Sequence, residues 1–238
     1  YASAWYNRGI ALKKLERYEE AITCCDRVIE IDPKHADVWD NKSSILFNLK
    51  RYEEAIACYD RRIEMDPKDY HAWHNKGAAF YNLDDETKSI ICYDRALEIK
   101  QVPFLFESKA QALLVLRRYV EAIACFDRMI EMDPKDLDAW KRKGYALSRA
   151  KRYEDAIASY DRLIELKHED AEVWARKGIA FDMLGRAEEA TTCFNKAIEL
   201  DPTDSYEWTV KGYEFLKHGD DDHAAFASIT SHWYAQGK

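Results

Sequence analysis

The chain has 238 residues, 47% of them apolar and 34% charged, with eight Gly, five Pro, a formal charge of −8 and a pI near 5.5. Such acidity argues against nucleic acid as a partner, because phosphate-backbone binding usually rests on a basic face; the scarcity of Gly and Pro argues against disorder and an all-β fold. The longest apolar stretches, such as "ALLVL" at 112–116, fall far short of the roughly 20 residues that span a bilayer. No basic region followed by an apolar core marks a signal peptide, and the missing initiator Met suggests an excised piece of a larger protein.

From the N-terminus onwards one pattern returns. Trp5 is followed four residues later by Gly9 and seven later by Leu12. A bulky, tiny, bulky series at intervals of four and three lies on one helical face, with the tiny residue letting a second helix cross closely. That second helix opens at "RYEEAITCCDR" (17–27), carries Ala21 and then Cys25, and closes on Asp32-Pro33. The opening acidic residues suit the positive end of a helix dipole, and Pro disfavours helix in the residue before it. The next unit repeats this from Trp39 through Ser43, Leu46, Ala55 and Tyr59 to Pro67, and the third from Trp73 through Gly77, Phe80, Ser89 and Tyr93. The third unit is one residue short and ends "EIKQVPFLFES" without the Asp-Pro-Lys turn, so that Phe106 stands where Trp is expected. Regularity resumes with Ala110, Leu113, Ala122 and Phe126, then with Trp140, Gly144, Leu147, Ala156 and Tyr160, and then with Trp174, Gly178, Phe181, Ala190 and Phe194. His168 replaces Pro at the end of the fifth unit. A divergent seventh unit starts at Trp208, Gly212 and Phe215; a turn longer by one residue lets Ala225, Phe226, Ile229 and Trp233 recover the apolar face, with Trp233 and Tyr234 finishing the core or marking a contact with another chain. After the Pro residues, Asp69, Asp136 and Asp204 sit where the following helix wants an N-cap.

Spacings of 34, 34, 33, 34, 34 and 34 between the seven aromatic positions, with the Trp, Gly, aromatic, Ala, aromatic and Pro columns, resemble the tetratricopeptide repeat (TPR). The resemblance covers residues 2–238. It implies an all-α fold, a right-handed α-solenoid superhelix of antiparallel helix pairs, here one array with repeats at approximately 2–35, 36–69, 70–102, 103–136, 137–170, 171–204 and 205–238. A single hairpin cannot bury its own apolar face, so each copy repeats the core residues its neighbours stack against. Function then belongs to the columns that vary.

Signs of catalysis or cofactor binding are absent from the sequence: there is no Gly-rich phosphate loop, nucleophile elbow or carboxylate pair outside the repeating acidic face, and no cofactor is expected. Cys24, Cys58, Cys92, Cys125 and Cys193 share one column, with only Cys25 outside it. Stacked repeats hold such residues roughly 10 Å or more apart, beyond the ~7 Å limit for a disulfide, so they are expected as small packed thiols in a reducing, cytoplasmic setting. No C-x-x-C occurs, and His71 and His74 form an H-x-x-H without a third ligand; a ligand contact or simple solvation is preferred there to a metal. Three residues after each Trp position stand Arg8, Lys42, Lys76, Lys109, Lys143, Lys177 and Lys211. Asp26, Asp60, Asp94, Asp127 and Asp161 recur as regularly, so internal charge pairing with snorkelling Lys stems is expected rather than a phosphate site.

The resemblance further implies that the first helices line a groove for a protein or peptide partner. Two residues past the Trp position stand Asn7, Asn41 and Asn75, then Ser108, Arg142, Arg176 and Val210; nine past it, Asn48 and Asn82 form a second row. An amide offers both donor and acceptor, which suits the backbone of an extended peptide, and the rows resemble the asparagine ladder of superhelical repeats. Tyr81, Phe104, Leu114 and Tyr145 would supply apolar surface, and Arg142, Arg149 and Arg176 fixed positive charge suited to carboxylates. The five-residue clamp with which some family members hold a terminal carboxylate is not reproduced: neither Tyr6, Ile10, Asn41, His71 and Asn75 nor Glu107, Gln111, Arg142, Glu172 and Arg176 matches at more than one position. The expectation is a non-enzymatic interaction scaffold. The alternatives are a recognition part of a larger enzyme, and RNA binding, which net acidity disfavours.

Overall fold

A computed structural model describes residues 1–166 and 170–201. It is all-helical there, with no strand among the described residues, and two kinds of helix alternate. The first kind has 13 residues: α1 (Ala2–Lys14), α3 (Ala36–Asn48), α5 (Tyr70–Asn82), α7 (Pro103–Val115), α9 (Leu137–Arg149) and α11 (Ala171–Met183). The second has 14: α2 (Tyr18–Ile31), α4 (Tyr52–Met65), α6 (Glu86–Ile99), α8 (Tyr119–Met132), α10 (Tyr153–Leu166) and α12 (Ala187–Leu200). They form two compact units, Tyr1–Leu116 with α1 to α7 and a second beginning at Arg117 with α8 to α12. No described helix is long and apolar enough to cross a membrane. The repeat expected at 205–238, with its Trp208 and Trp233, lies outside the described residues, as do His168, Asp204, Val210 and Lys211.

The tiny column is where the two helices of a hairpin touch. A Cβ on Gly77 would stand 2.7 Å from Cε1 of Tyr93, one on Gly144 2.5 Å from Cε1 of Tyr160, and one on Gly178 2.7 Å from Cε1 of Phe194. Gly9 faces the smaller Cys24, whose Cβ would be 3.3 Å away. Tyr93, Tyr160 and Cys24 belong to the core and Phe194 packs against it half-buried, with the Ala column beside them at Ala21, Ala55, Ala122, Ala156 and Ala190. All six cysteines are buried and free, and burial pushes Cys58, Cys92 and Cys193 up to about 11, so they are inert packing groups.

Five of the described hairpins turn by the same device. Arg17 donates its amide to Leu12 O at 2.9 Å while Glu16 adopts φ +58°, and this pattern recurs at Arg51 with Lys50, Asp85 with Asp84, Arg152 with Lys151 and Arg186 with Gly185. These are helix ends closed through a left-handed residue that Gly suits best, yet only Gly185 is glycine. The following Arg has no side-chain cap bond; Arg17, Arg51, Arg118, Arg152 and Arg186 pair instead with the acidic residue three further on.

Between hairpins the chain uses Asp-Pro-Lys. The Asp32, Asp66 and Asp133 carboxylates accept the amides of Lys34, Lys68 and Lys135, and the carbonyls of Pro33, Pro67 and Pro134 accept the indole N–H of Trp39, Trp73 and Trp140 at 3.0, 3.3 and 3.1 Å. Asp69 and Asp136 cap α5 and α9 through Ala72 N and Ala139 N, as their position predicts. The residue lost from the third repeat comes out of the connection before α7, where Pro103 moves to the first helical position. There Phe106 has no N–H that needs a carbonyl.

Adjoining repeats are tied by the expected charge pairing. Lys42 meets Asp26 at 2.6 Å, Lys76 meets Asp60 at 2.5 Å, Lys109 meets Asp94 at 2.5 Å, Lys143 meets Asp127 at 2.7 Å, and Lys177 meets Asp161. The ammonium groups of Lys76, Lys143 and Lys177 also lie over the rings of Trp73, Trp140 and Trp174. One core column breaks the pattern: where Val28, Ala96, Met129, Leu163 and Ala197 are buried, the second repeat has Arg62. Arg62, with only 15% of its side chain exposed, is neutralised by Asp40 at 2.8 Å and Asp69 at 2.7 Å.

The left-handed turn residues give a direct test. Gly185→Ala, whose Cβ would meet nothing within 4 Å, is expected to lower stability by about 1 kcal/mol from backbone strain alone, and Lys151→Gly to raise it by a similar amount. Urea midpoints of the two variants should therefore move in opposite directions.

Candidate functional site

Within each unit the first helices of successive repeats touch, and a simple register governs which side chains meet. The residue one past the Trp position faces the residue two before that position in the next repeat. His74 on α5 meets Phe104 on α7 edge to face, with ring centroids 5.1 Å apart, and Lys141 on α9 donates to Glu172 on α11. The residue two past Trp stands four after the residue two before it and shares its face. Lys13 on α1 donates to Ser44 on α3 at 2.7 Å, which brings the register eight past Trp to the same row of helices.

In the first unit this face carries Asn7 and Asn75, both exposed, and Asn41, half-buried, one from each of α1, α5 and α3. Asn48 and Asn82 end α3 and α5, both exposed. The Asn82 amide is already engaged, donating to Ala78 O at 2.8 Å and accepting from the Tyr52 hydroxyl at 3.2 Å. Tyr81 and Leu114 are half-buried, and Phe104 remains 39% exposed.

Around Phe104 the rings gather. His71 stacks on it at 6.5 Å and lies tilted against Tyr70 at 4.0 Å, while His74 lies between Phe104 and Tyr93. His74 Nε2 is 3.1 Å from Ser108 Oγ, and its Nδ1 is 3.3 Å from Asn75 Oδ1. Burial pushes the His74 imidazole below its ordinary value; Asn75 opposes this and His71 adds to it. No group of three or more His, Cys, Asp or Glu fit to hold a metal occurs among the described residues.

The second unit brings Arg142, Tyr145, Arg149 and Arg176 onto α9 and α11, but not as bare charge. Arg142 donates to Asp138 at 2.5 Å, Arg149 lies over the Tyr119 ring at 5.9 Å, and Arg176 lies over Tyr145 at 5.4 Å. Arg176 also forks onto Glu172 through Nε and a terminal nitrogen, at 3.0 and 2.7 Å. Burial alone would raise the Glu172 carboxyl, but hydrogen bonds from Lys141 and Arg176 outweigh it and hold it below the usual range. The carboxylates that the arginines suit are thus already present within the chain. Sequence columns named the arginines; the Lys141–Glu172 link and the His74–Phe104 pair needed the cross-repeat register, which the 34-residue spacing carries once the two columns are compared.

Sequence models described as tetratricopeptide repeat match residues 2–35 and 171–204, 108–170, 24–57 and 70–103, and one described as TPR repeat matches 44–84. No curated protein matches the chain. Among solved structures the chain is similar to YrrB, described as a TPR protein with an unusual peptide-binding site, at 19% identity over 80% of this chain and 97% of that one, with a TM-score of 0.67. It is also similar to MamA from Desulfovibrio magneticus RS-1 (20% identity, 71% and 96% covered, TM-score 0.62) and to PilF of Pseudomonas aeruginosa (15% identity, 88% and 97% covered, TM-score 0.59). At these identities the likeness is one of fold.

Glu172→Gln leaves Lys141 and Arg176 without their shared carboxylate and is expected to cost about 1–2 kcal/mol. Because the folded chain holds this carboxyl low, its stabilisation is present above the ordinary glutamate value of about 4.3 and is lost as pH falls through and below it. The stability gap between wild type and Glu172→Gln should therefore close as unfolding is followed from about pH 6 to pH 3, and a gap that stays constant would contradict this role.

Proposed function

Because the chain belongs to the tetratricopeptide-repeat family, we propose that it is a non-catalytic interaction scaffold that holds an extended segment of a partner protein along the first-helix face. The observation that carries this reading is the row of Asn7, Asn41 and Asn75 at one register of α1, α3 and α5, leading to the half-exposed Phe104. Amides that recur at a helix-to-helix interval suit a peptide backbone whatever its side chains. Phe104, with Tyr81 and Leu114 near it in the repeat pattern, offers an apolar anchor, and a few such anchors dominate affinity over a pre-formed surface. YrrB, similar in fold, is described with a peptide-binding site.

In the second unit, Arg142, Tyr145, Arg149 and Arg176 form a separate patch for an acidic group. Asp138 and Glu172 occupy Arg142 and Arg176 in the free chain, so an acidic ligand there has to exchange with an internal carboxylate. Its contribution is expected to be the smaller of the two.

Peptides selected from a displayed random library against wild type should lose roughly tenfold or more in affinity for Asn41→Ala/Asn75→Ala, equivalent to about 1.4 kcal/mol, with helicity unchanged. Phe104→Ala should weaken the same peptides. Equal binding by wild type and both variants would place the ligand elsewhere and defeat the proposal.

A further inference from the structure

The hydrogen-bond chain at His74 has a direction. Ser108 Oγ stands 2.9 Å from Phe104 O, four residues back on α7, and 3.1 Å from His74 Nε2. A serine hydroxyl has a single proton. When that proton is given to the Phe104 carbonyl, as helical serines commonly do, Oγ can only accept from His74, which makes Nε2 the N–H. Nδ1 then decides the Asn75 amide beside it, whose Oδ1 stands 3.3 Å away in the orientation that suits an Nδ1–H. In neutral His74, Nδ1 is a lone pair and draws the Asn75 NH2. In charged His74, Nδ1–H draws the Asn75 carbonyl oxygen. The two ends of an amide have nearly the same shape, so the turn between them needs no repacking.

We propose that His74 is a positioning residue that sets which end of the Asn75 amide faces the groove: carbonyl outward when the imidazole is neutral, NH2 outward when it is protonated. The proposal rests on the reading that this face holds an extended segment. It deepens that reading by making one rung of the asparagine row accept a peptide N–H at neutral pH and donate to a peptide carbonyl at acid pH. Asn41 has no such neighbour, because Asp40 stands in the His74 column and is tied to Arg62.

The titratable and charged groups around His74 are few. His71 lies one turn back on α5, Tyr93 faces it from α6, and α7 contributes Ser108 with Glu107 beside it in sequence. Asp60 and Arg62 on α4, which packs against α5, are paired with Lys76 and with Asp40 and Asp69. Burial keeps the imidazole neutral at neutral pH, so the turn comes below the ordinary histidine value of about 6.5.

The test is an NMR titration of the ligand-free chain, following the His74 ring nitrogens and the side-chain amides of Asn75 and Asn41 from about pH 8 to pH 4.5. The expected result is that the Asn75 amide moves with the same midpoint as His74, that the Asn41 amide does not, and that His74→Phe abolishes the Asn75 movement. Ser108→Ala, which removes the acceptor at Nε2, should displace both midpoints together. An Asn75 amide that stays flat while His74 titrates, that titrates unchanged in His74→Phe, or that keeps its midpoint when that of His74 moves would overturn the proposal, as would a His74 that never titrates. No ligand enters the measurement, so its failure is distinct from failure of the groove to bind peptide.

Discussion

Everything in these hairpins depends on how close an aromatic ring of the second helix comes to the backbone of the first. The rings of Tyr93, Tyr160 and Phe194 occupy the space in which a side chain on Gly77, Gly144 or Gly178 would begin. Protein interiors are packed densely enough that such a ring cannot be accommodated by slack elsewhere. Its contact with the backbone therefore fixes the crossing of the two helices. That crossing in turn sets where each lysine column ends, within reach of the aspartate of the preceding second helix. Where the column holds a side chain, the residue is small: Ala110, or Ser43, which returns its hydroxyl to Asp40 O at 3.0 Å.

A second constraint joins the turn to the ring. Because the Trp indole N–H is satisfied by a Pro carbonyl in the preceding connection, Trp and the Asp-Pro-Lys turn change together. At Phe106 the indole disappears, and with it the turn and one residue of length. At Trp174, where His168 replaces Pro in the sequence, the indole nitrogen is buried without a hydrogen bond among the described residues.

The columns of Trp, Gly, Ala and aromatic residues were legible because a strict period of about 34 turns packing into arithmetic. The Lys–Asp pairs were legible for the same reason, since Asp recurs in the first five copies and Lys in the second to the sixth. What escaped was whatever occurs once or depends on backbone angle. Glu16, Lys50, Asp84 and Lys151 give no sign of a left-handed conformation, because the familiar marker is glycine and only Gly185 carries it. Arg62 looks like one more surface charge until its column is known to be buried. Arg142 and Arg176 are visible as charges, but it is the structure that joins them to Asp138 and Glu172, four residues back on the same helices. The asparagine row was visible as a pattern, whereas its coupling to His74 needed the position of Ser108 on a neighbouring helix.

Arg62 bears on how such an array can be rearranged. Asp40, Arg62 and Asp69 all lie within residues 36–69, so this copy carries its own counter-ions. The Lys–Asp ties, by contrast, are made across the junctions, with the Asp supplied by the first five copies and the Lys by the second to the sixth. A copy with a private charge that it neutralises itself, and public charges that any of the first five copies can answer, is a portable cassette. Genetic duplication or transposition of the 36–69 segment to another place behind any of the first five copies would strand no buried ion, and longer descendants of this chain could be assembled from it without a compensating change.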